Sequence, residues 1–485
     1  METGSPFIMQ PTVTEDNQRP AKAQSLQKLS FSRDLIERFD RPGPRYTSYP
    51  TADRFVEPFG AEHYIQALDK RAALGEQAPP LSLYVHLPFC ASLCYFCACN
   101  KIITQDHSRS SEYVQYVLRE ADLVLPHLGG TTQLGQLHFG GGTPTFLDPG
   151  EQKALMTGLQ QRFDFLADAE LSIEIDPRTV TAESLSYLAE FGFNRCSFGV
   201  QDFNPEVQQA VNRIQPYDQV EQVVFGARAA GFESINTDLI YGLPKQNLQR
   251  FEQTVQQLLQ LRPDRIALYN YAHLPQRFKA QRLIKAEDLP APELRLDLFL
   301  LAAQALVEAG YVYIGLDHFA LPEDELNLAQ LDGTLQRNFQ GYTTRAHYDL
   351  LGLGVSSIGK VQDVYSQNNR SLKSYYQAID QGQLATQRGV VMSAEDRLRT
   401  EIIMKLMCSM PVSFAALEQR YRIDFKAHFA DELRALEPFE AKGFVRCSDE
   451  QIEVTLKGRL FVRAISMIFD QYLSQRTQAT YSKII

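Results

Sequence analysis

The stretch Tyr84-Val-His-Leu-Pro-Phe-Cys-Ala-Ser-Leu-Cys-Tyr-Phe-Cys-Ala-Cys-Asn100 concentrates four of the seven cysteines of the chain in one short segment. Cys90, Cys94 and Cys97 have the spacing C-x3-C-x2-C, and Cys99 follows two residues later. This spacing can bring three thiolates around one compact soft-metal centre and leaves no fourth protein ligand in regular register. The segment therefore predicts a metal site with one open coordination position.

Two other uses of the cysteines compete with this interpretation. Tetrahedral zinc sites are usually built from two separated C-x2-C or Cys/His pairs, and the sequence has no second pair. Disulfides need an oxidising compartment, and the N-terminus does not resemble a secretory signal. A four-iron cluster on three thiolates fits better, because its fourth iron is left open for chemistry. The remaining cysteines, Cys196, Cys408 and Cys447, are scattered, and we expect them to be small buried side chains.

Length, composition and charge restrict the class of protein. With 485 residues, the chain can form one large domain and a smaller one, or two to three average domains. A hydrophobic content of 44% and a charged content of 22% are typical of soluble globular proteins. A net charge of −10 without a basic run argues against nucleic-acid binding. No apolar stretch reaches the roughly 18 to 20 residues of a membrane span. We therefore expect a cytoplasmic protein and, without an exposed apolar stripe, a monomer.

Short apolar runs alternate with longer amphipathic stretches from Leu81 onward. The runs predicted to be strands are Leu81–His86, Gln136–Phe139, Leu171–Ile175, Arg195–Gly199, Ser234–Asp238 and Arg265–Tyr269. Helical periodicity occupies intervals between and after them, at 151–163, 182–192, 248–261 and 292–309. Six strand and helix units in series predict an α/β fold with a parallel sheet, closed or partly closed into a barrel.

Polar motifs end or follow each of the six predicted strands. In strand order they are the cysteine segment, Gly140-Gly141-Gly142-Thr143-Pro144, Glu174 with Asp176, Gln201, Asp238, and Tyr271-Ala272-His273. Because ligands of such barrels bind at the carboxyl ends of the strands, we expect these groups to converge on one site. Side chains that could hold ribose hydroxyls or a carboxylate there are Glu174, Gln201, Arg213 and Asp238. Each of them could equally have a surface or helix-capping role.

The two ends of the chain differ from its centre. Residues 1–30 are rich in Gln, Ser, Thr and Pro, so we predict a disordered extension there, with structure beginning near Leu35. The barrel domain is predicted to span 31–375, and its proline-rich segment 41–50 is either a linker or part of a pocket. Residues 376–485 are predicted to form a smaller, mostly helical domain that caps the barrel. Within it we expect a hairpin at 444–454 and a last amphipathic helix around 457–474.

The cysteine segment together with Gly140–Pro144 resembles the radical S-adenosylmethionine enzymes. From about residue 31 to the C-terminus, longer runs are similar to one family among them, the oxygen-independent coproporphyrinogen III oxidases, also called coproporphyrinogen dehydrogenases. These runs are Arg45-Tyr-Thr-Ser-Tyr-Pro-Thr-Ala52, Cys97-Ala-Cys-Asn100, Gly199-Val-Gln-Asp-Phe203, Asp238-Leu-Ile-Tyr-Gly-Leu-Pro244 and Arg337-Asn-Phe-Gln-Gly-Tyr-Thr-Thr344. The resemblance implies a partial (βα)6 parallel barrel of the radical SAM type with a smaller, mostly helical C-terminal domain.

The resemblance also implies an activity. A [4Fe-4S] cluster on Cys90, Cys94 and Cys97 would bind one S-adenosylmethionine at its open iron and cleave it to methionine and a 5′-deoxyadenosyl radical. That radical would abstract hydrogen from the β-carbon of a propionate, and loss of carbon dioxide and one electron would leave a vinyl group. Two propionates of coproporphyrinogen III would react, giving protoporphyrinogen IX in haem biosynthesis. A reducing donor such as flavodoxin or ferredoxin would supply the electron.

Binding residues of the family match positions of this sequence. Around the first S-adenosylmethionine they are Tyr84, Phe96, Gly141 and Glu174. Around a second S-adenosylmethionine they are Gly142, Thr143, Gln201, Arg213, Asp238, Ala272 and Ile358. Cys99 matches a fourth cysteine that the family needs for activity without using it as a cluster ligand.

A substrate with four carboxylates needs cationic partners, although the chain as a whole is acidic. Arg45, Arg337 and Arg345 are the candidates, since guanidinium groups bind carboxylates with two parallel hydrogen bonds. The rings of Tyr46 and Tyr49 could pack against a macrocycle or simply belong to the core.

Three alternatives remain open at this point. Haem-carrier paralogues share the cluster loop but usually lack the Cys-x-Cys ending and the Arg45–Pro50 segment, both of which are present here. A haem-degrading radical methyltransferase shares parts of the same framework. A non-catalytic iron–sulfur or zinc scaffold would neither bind nor cleave S-adenosylmethionine.

Overall fold

A computed structural model describes residue 39 and residues 42–473. Its strands are β1 (Leu81–Leu87), β2 (Phe89–Cys90), β3 (Ile102–Ile103), β4 (Gln133–Gly141), β5 (Asp164–Ile175), β6 (Arg195–Gln201), β7 (Ser234–Tyr241), β8 (Arg265–Asn270), β9 (Val312–Gly315), β10 (His318–Ala320), β11 (Gln336–Asn338), β12 (Gly341–Thr343), β13 (Asp349–Leu353), β14 (Ile358–Val361), β15 (Val364–Asn368), β16 (Thr386–Val391), β17 (Val412–Ser413), β18 (Val445–Cys447) and β19 (Gln451–Val454). The predicted disordered extension over 1–30 and the predicted start near Leu35 lie outside the described residues.

Helices connect most of these strands and form much of the C-terminal part of the chain. They are α1 (Ala61–Ala72), α2 (Ser108–Val124), α3 (Pro149–Gln160), α4 (Ala182–Glu190), α5 (Pro205–Ala210), α6 (Tyr217–Ala229), α7 (Leu248–Leu261), α8 (Pro292–Glu308), α9 (Glu325–Asp332), α10 (Leu372–Asp380), α11 (Ala394–Met407), α12 (Phe414–Tyr421), α13 (Phe425–His428), α14 (Ala430–Glu440) and α15 (Val462–Ser466). None of the helices within the described residues combines the length and apolarity needed to span a membrane.

A twelve-stranded sheet organises the larger part of the fold. At its centre, β1, β4, β5, β6, β7 and β8 are neighbours in that order and run parallel. Each of the six predicted strand runs lies within one of these strands, which confirms the predicted parallel α/β architecture. The four predicted helical intervals correspond to α3, α4, α7 and α8.

The sheet continues on both sides of the six central strands. Strand β13 pairs with β1 in parallel, and β14, β15 and β16 follow it in antiparallel order. On the other side, β10 pairs with β8 and β9 pairs with β10, both antiparallel. The two edges of the sheet are β16 and β9, so the barrel is partly closed, one of the two predicted forms.

Apolar residues hold the helices to the sheet. In β1, Leu81, Leu83, Val85 and Leu87 are all at most 1% exposed and belong to the main core. The neighbouring strands and helices α2, α3 and α7 contribute to the same cluster. A strand buried on both faces is typical of a parallel sheet, and this burial fixes the position of the cysteine segment that follows β1.

A second apolar core lies in the C-terminal part of the chain. It joins α11, α12, α14 and α15 to the small sheet of β17, β19 and β18, and it includes Phe39, Tyr46 and Tyr49. The predicted hairpin at 444–454 is confirmed by β18 and β19. The predicted division of the chain after residue 375 stays a prediction; the large sheet itself continues to Val391.

The prediction of one amphipathic helix around 457–474 is wrong. Short 3-10 turns at Lys457–Phe461 and Met467–Phe469 flank the single helical turn of α15. The segment passes so close to the hairpin that a Cβ at Gly458 would lie 1.9 Å from the Phe444 carbonyl oxygen. Phe461 and Ile465 are fully buried, so the segment is enclosed rather than amphipathic. A segment that is buried on several sides lacks the separate polar and apolar faces of a surface helix.

Glu120 connects α2 to the sheet from a position that is 2% exposed. Its Oε2 accepts hydrogen bonds from the Gly354 amide at 2.7 Å and from the Tyr375 hydroxyl at 2.7 Å. Its Oε1 accepts from the Asn368 amide nitrogen. Burial raises the pKa of Glu120 to about 7, although these three hydrogen bonds oppose the shift.

This pKa predicts a pH-dependent stability. Because the pKa of Glu120 is raised above its ordinary value of 4.5, the folded chain binds its proton more tightly than the unfolded chain. Protonation of Glu120 therefore adds about 3 kcal/mol to the free energy of unfolding below about pH 4.5. This added stability is lost as the pH rises through about 7. Urea unfolding at pH 5 and pH 8 should show this loss for the wild type and a much smaller loss for Glu120→Gln. Equal losses in both proteins would assign the pH dependence to other groups.

Candidate functional site

The cysteine segment begins where β1 ends. Strands β2 and β3 tie its two ends together by pairing Phe89 with Ile102 and Cys90 with Ile103. Between them the amide of Cys97 donates to the carbonyl oxygen of Cys94 at 3.3 Å, which makes a tight turn. The segment is thus a closed loop at the carboxyl edge of the parallel sheet, the position at which barrels of this architecture bind ligands.

Hydrogen-bond donors surround the thiols of this loop. Arg213 Nη1 lies 3.4 Å and Arg178 Nη2 lies 3.6 Å from the sulfur of Cys94, which is buried. Thr143 Oγ1 donates to the sulfur of Cys90 at 3.5 Å. Burial raises the pKa of Cys90 to about 11, and the Thr143 hydroxyl opposes this shift. The two guanidinium groups place positive charge beside Cys94, and the thiolate is the form of cysteine that binds metal.

The arrangement of the thiols fits an iron–sulfur cluster. Among the described residues, no three side chains of Cys, His, Asp or Glu are placed to share a single metal ion. In a [4Fe-4S] cluster each cysteine binds a different iron, so the sulfurs need not reach a common ion. Cys90 and Cys97 are partly buried, whereas Cys99 is exposed and its thiol hydrogen-bonds to Cys97, which lowers the pKa of Cys97. Three thiolates with guanidinium donors nearby suit an anionic cluster.

The glycine run packs directly on the start of the cysteine loop. The amide of Gly142 donates to the Leu87 carbonyl at 2.8 Å, and a Cβ on Gly142 would lie 2.6 Å from the Pro88 carbonyl oxygen. Gly141 has φ +117°, and a Cβ there would lie 2.7 Å from the His86 ring. Larger residues cannot occupy these two positions without moving the loop, so the glycines are needed for close backbone contact.

His86 is held in one tautomer between the strand and the loop. Its Nε2 lies 2.9 Å from the carbonyl oxygen of Asn100, which can only accept, so Nε2 carries the proton. Its Nδ1 lies 3.1 Å from the Tyr84 hydroxyl and therefore accepts from it. Burial lowers the pKa of His86, which keeps the imidazole neutral. The ring thus fixes Tyr84 relative to the end of the cysteine loop.

Glu174 joins this cluster from β5. Its Oε2 accepts from the Gly141 amide at 3.1 Å, and its Oε1 lies 3.5 Å from His138 Nε2. The ring of Tyr84 stacks on His138 with 5.8 Å between centroids. Burial alone raises the pKa of Glu174, but the hydrogen bond and charge of His138 lower it overall. Tyr84, Gly141 and Glu174, all predicted around the first S-adenosylmethionine, therefore lie together.

A cavity of about 180 Å³ occupies the interior of the partial barrel. Its lining includes Glu174, Asn236, Asp238, Tyr269 and His318. Burial raises the pKa of Asp238 to about 7, the charge of Glu174 adds to this rise, and the hydrogen bond from Asn236 at 2.9 Å opposes it. Burial, together with the second carboxyl group in the cavity, therefore makes Asp238 a much weaker acid than an exposed aspartate.

Arg213 is fixed by contacts from several elements. Its Nη1 forms an ion pair with Asp176 Oδ2 at 3.0 Å, and its Nη2 donates to the Gly199 carbonyl at 2.6 Å. Gln201, at the end of β6, has φ +69°, and a Cβ at Gly199 would lie 2.8 Å from its amide nitrogen. Arg213 contacts both Asp176 and the sulfur of Cys94. It therefore connects the predicted second cofactor site to the cluster loop.

Gln281 connects two further predicted residues. Its amide nitrogen donates to the Phe96 carbonyl at 3.0 Å and to the Ala272 carbonyl at 3.1 Å. The loop after β8 is thereby attached to the cysteine loop. Ile358, at the start of β14, instead lines a smaller cavity beside β11 and is not among the residues lining the interior cavity.

The three arginines proposed for substrate carboxylates have different environments. Arg45 forms an ion pair with Asp317, and Arg345 donates to the carbonyl oxygen of Asp168 at 3.0 Å. Arg337 is 7% exposed, and the structure describes no ion pair for it. Arg337 is therefore the candidate whose charge is most available to a ligand.

The tyrosines of the proline-rich segment belong to the core. Tyr46 and Tyr49 are at most 1% exposed, and the Tyr46 hydroxyl donates to Asp470 at 2.9 Å. Of the two roles considered for these rings, the structure supports packing in the C-terminal core.

Sequence reasoning missed several residues of the site. The sequence pattern identifies Asp176 only as the end of a strand, and it gives no role to Arg178 or Gln281. Asp176 forms ion pairs with Arg178 at 2.6 Å and with Arg213 at 3.0 Å, so it positions both donors to Cys94. The one available signal was the run Asp-Pro-Arg directly after a strand that ends at the predicted site.

Comparisons with known proteins agree with this geometry. A family model described as the radical SAM superfamily matches residues 84–258, and one described as the HemN C-terminal domain matches residues 392–461. The oxygen-independent coproporphyrinogen III oxidase of Pseudomonas aeruginosa is 48% identical over 95% of this chain and 100% of its own length. The enzyme of the same name from Escherichia coli K12 is 45% identical over the same shares.

A solved structure supports the same relationship. The coproporphyrinogen III oxidase of Escherichia coli, described as a radical SAM enzyme, superposes with a TM-score of 0.87 at 44% identity. The match covers 92% of this chain and 100% of that one. The predicted radical SAM type of partial barrel is therefore confirmed, together with the helical C-terminal part.

Proposed function

Because the chain belongs to the family of oxygen-independent coproporphyrinogen III oxidases, we propose that it decarboxylates two propionates of coproporphyrinogen III to vinyl groups and forms protoporphyrinogen IX. It is a radical SAM oxidoreductase of haem biosynthesis that uses a [4Fe-4S] cluster and S-adenosylmethionine. One observation carries the assignment most directly: the C-x3-C-x2-C-x-C loop lies at the carboxyl edge of the sheet with two arginines at the sulfur of Cys94.

Cys90, Cys94 and Cys97 would hold the cluster. When bound, the cluster and S-adenosylmethionine supply the radical chemistry that removes a hydrogen atom from the substrate. Arg213 and Arg178 lie at the sulfur of Cys94 and place positive charge beside the anionic site. Cys99 follows the third ligand and, as an exposed thiol in contact with Cys97, is positioned to act on bound molecules without serving as a ligand.

The residues proposed to bind the first S-adenosylmethionine are Tyr84, Phe96, Gly141 and Glu174. The Glu174 carboxylate accepts a hydrogen bond from the Gly141 amide, so the carboxylate and the glycine backbone lie on the same side of the proposed site. The residues proposed for a second molecule are Gly142, Thr143, Gln201, Arg213, Asp238, Ala272 and Ile358. The carboxylate of Asp238 can accept hydrogen bonds from ribose hydroxyls in the interior cavity.

The reaction that we propose requires water to be kept away from the radical. A radical that abstracts hydrogen attacks many C–H bonds, so positioning and exclusion of solvent are the main tasks of the protein. We propose that residues 376–485 cap the barrel. The segment before α1 supports this role, because the Pro44 carbonyl accepts from Arg463 of the C-terminal core at 3.1 Å while Arg45 reaches Asp317 at the end of the large sheet.

Several further features belong to the same proposal. A reduced donor such as flavodoxin or ferredoxin would supply the electron. A cytoplasmic location fits the seven cysteines, none of which forms a disulfide. A monomer fits the exposed large apolar side chains of residues 42–473, which come from many different elements of the fold.

The proposed function is tested by one anaerobic incubation. Protein reconstituted with iron and sulfide is mixed with reductant, S-adenosylmethionine and coproporphyrinogen III, and the products are identified by mass spectrometry. We expect 5′-deoxyadenosine and a porphyrin lighter by carbon dioxide plus two hydrogens at each of two propionates. Cleavage without decarboxylation would favour a haem-handling paralogue, and no cleavage at all would favour a scaffold.

A further inference from the structure

A small cavity of about 50 Å³ lies beside β11 and β14, apart from the residues that line the barrel interior. Two cationic residues, Arg337 and Lys360, contribute to its lining, and no aspartate or glutamate does. Thr47, Tyr348 and Thr400 add hydroxyl groups. The cavity is therefore lined by positive charge and hydrogen-bonding groups, in a chain whose net charge is −10.

Arg337, which lines this cavity, carries an unpaired donor. The residue is 7% exposed, its Nε donates to the Tyr46 carbonyl at 3.3 Å, and its guanidinium lies 4.8 Å from the Tyr342 ring centroid. Its Nη1 is buried and has no hydrogen-bond acceptor within the described part of the chain. A charged donor that is buried without an acceptor is costly, so Arg337 Nη1 calls for an acceptor other than the described residues.

Lys360 brings a second cation without a carboxylate of its own. Among residues 42–473 the structure shows no ion pair for it, and burial lowers the pKa of its ammonium group. The charges of Asp349 and Asp363 act on Lys360, but both acids are paired with arginines. Asp349 pairs with Arg71 at 3.0 Å, and Asp363 pairs with Arg397 at 3.1 Å. An anion in the cavity would compensate both Lys360 and Arg337.

The position of the cavity relates it to the reaction site. Residues of the hairpin β11–β12 line both cavities, with Arg337 and Phe339 on the small one and Gln340 and Tyr342 on the interior one. The hairpin thus stands between them. A volume of 50 Å³ corresponds to roughly three or four water-sized positions, enough for a carboxylate group but too small for a pyrrole ring.

We propose that this cavity binds the carboxylate of one propionate side chain of the porphyrinogen, with Arg337 and Lys360 as its charged partners. The inference rests on the proposed function. The amino-acid end of the second S-adenosylmethionine also carries a carboxylate, and Ile358 is shared with its predicted site. That end carries an ammonium group as well, which two cations and no lining carboxylate would repel. The propionate is therefore the better ligand.

Lys360→Met is the central variant, because it keeps the length of the side chain and removes the charge. Reconstituted enzyme is titrated anaerobically with coproporphyrin III, the oxidised analogue with the same four carboxylates, and separately with S-adenosylmethionine. We expect the Kd for coproporphyrin III and the KM for coproporphyrinogen III to rise about tenfold or more. The Kd for S-adenosylmethionine should not change. Lys360→Arg should restore most of the loss.

The matched control is Lys373→Met, which removes the same charge from an exposed position on α10 and should leave both affinities at the wild-type value. Arg337→Gln provides a second variant, and its melting temperature shows whether the loss of the Tyr46 contact unfolds the hairpin. An unchanged Kd for coproporphyrin III in Lys360→Met, or a rise only in the Kd for S-adenosylmethionine, overturns the proposal. If the wild type binds coproporphyrin III but does not convert coproporphyrinogen III, the proposed function fails and the porphyrin titration still decides this inference.

Discussion

Replacing Cys94 with alanine is expected to abolish the visible absorbance of the iron–sulfur cluster and to reduce S-adenosylmethionine cleavage below detection. Cys94 is the buried member of the three ligands and carries the contacts to Arg213 and Arg178 at 3.4 and 3.6 Å. Removing its thiol leaves two ligands and two guanidinium groups that repel a metal. The measurement is an absorbance spectrum and an iron count after anaerobic reconstitution, followed by chromatography for 5′-deoxyadenosine.

Two controls separate this effect from a general loss of thiols. Cys447→Ser removes a partly buried thiol of the C-terminal hairpin and should keep both the cluster and its activity. Cys99→Ala should keep the cluster and lose porphyrin turnover, because Cys99 is proposed to act on bound molecules. A brown, active Cys94→Ala protein would mean that Cys99 substitutes as a ligand. The double variant lacking Cys94 and Cys99 would then lose the cluster.

Local sequence patterns predicted the large elements of this fold well. The strand ending at Leu87 is a short apolar run followed by cysteines, and the strand ending at Gly141 runs into glycine. Both patterns can be recognised within a few consecutive residues. A buried strand needs apolar side chains, and a ligand-binding loop needs small or reactive ones. The same local patterns predict that Glu174 and Asp238 lie at one edge of the sheet, and the structure puts both in one cavity.

Contacts between distant segments could not be predicted in this way. The donors to Cys94 come from Arg178 and Arg213, which are far along the chain, and Asp176 orients both. No local periodicity encodes such a pairing. The parallel pairing of β13 with β1 is a similar case, since it brings β14 and Lys360 to the sheet after a long excursion of the chain.

The predicted helix at the C-terminal end is wrong for a related reason. Residues 457–474 have an apolar pattern that resembles one helix face, yet Phe461 and Ile465 are enclosed by the hairpin and the neighbouring helices. An element that is buried on several sides loses the contrast between a polar and an apolar face. The pattern therefore indicated burial correctly and the continuous helix incorrectly.

The second large effect is expected from replacing Asp238, which lines the interior cavity. Asp238→Ala should leave the cluster absorbance intact and raise the KM for S-adenosylmethionine about ten- to a hundredfold. A hydrogen bond to a charged carboxylate contributes about 1.5–3 kcal/mol, and this range converts to such a change in affinity. The measurement is the iron content beside the rate of 5′-deoxyadenosine formation at varied S-adenosylmethionine. Asp218→Ala, an exposed acid on α6, is the matched control and should behave as the wild type.

The raised pKa of Asp238 gives this prediction a pH signature. Burial and the charge of Glu174 raise the pKa of Asp238 to about 7, so the acceptor form predominates only above that pH. The affinity for S-adenosylmethionine should therefore increase from pH 6 to pH 8 in the wild type and stay flat in Asp238→Asn, which resembles the protonated acid. Glu174→Gln should move the midpoint of the increase to lower pH, because one of the two causes of the shift is removed. An unchanged turnover in Asp238→Ala would remove this residue from the site, and a pH profile retained in Asp238→Asn would assign the titration to another group of the cavity.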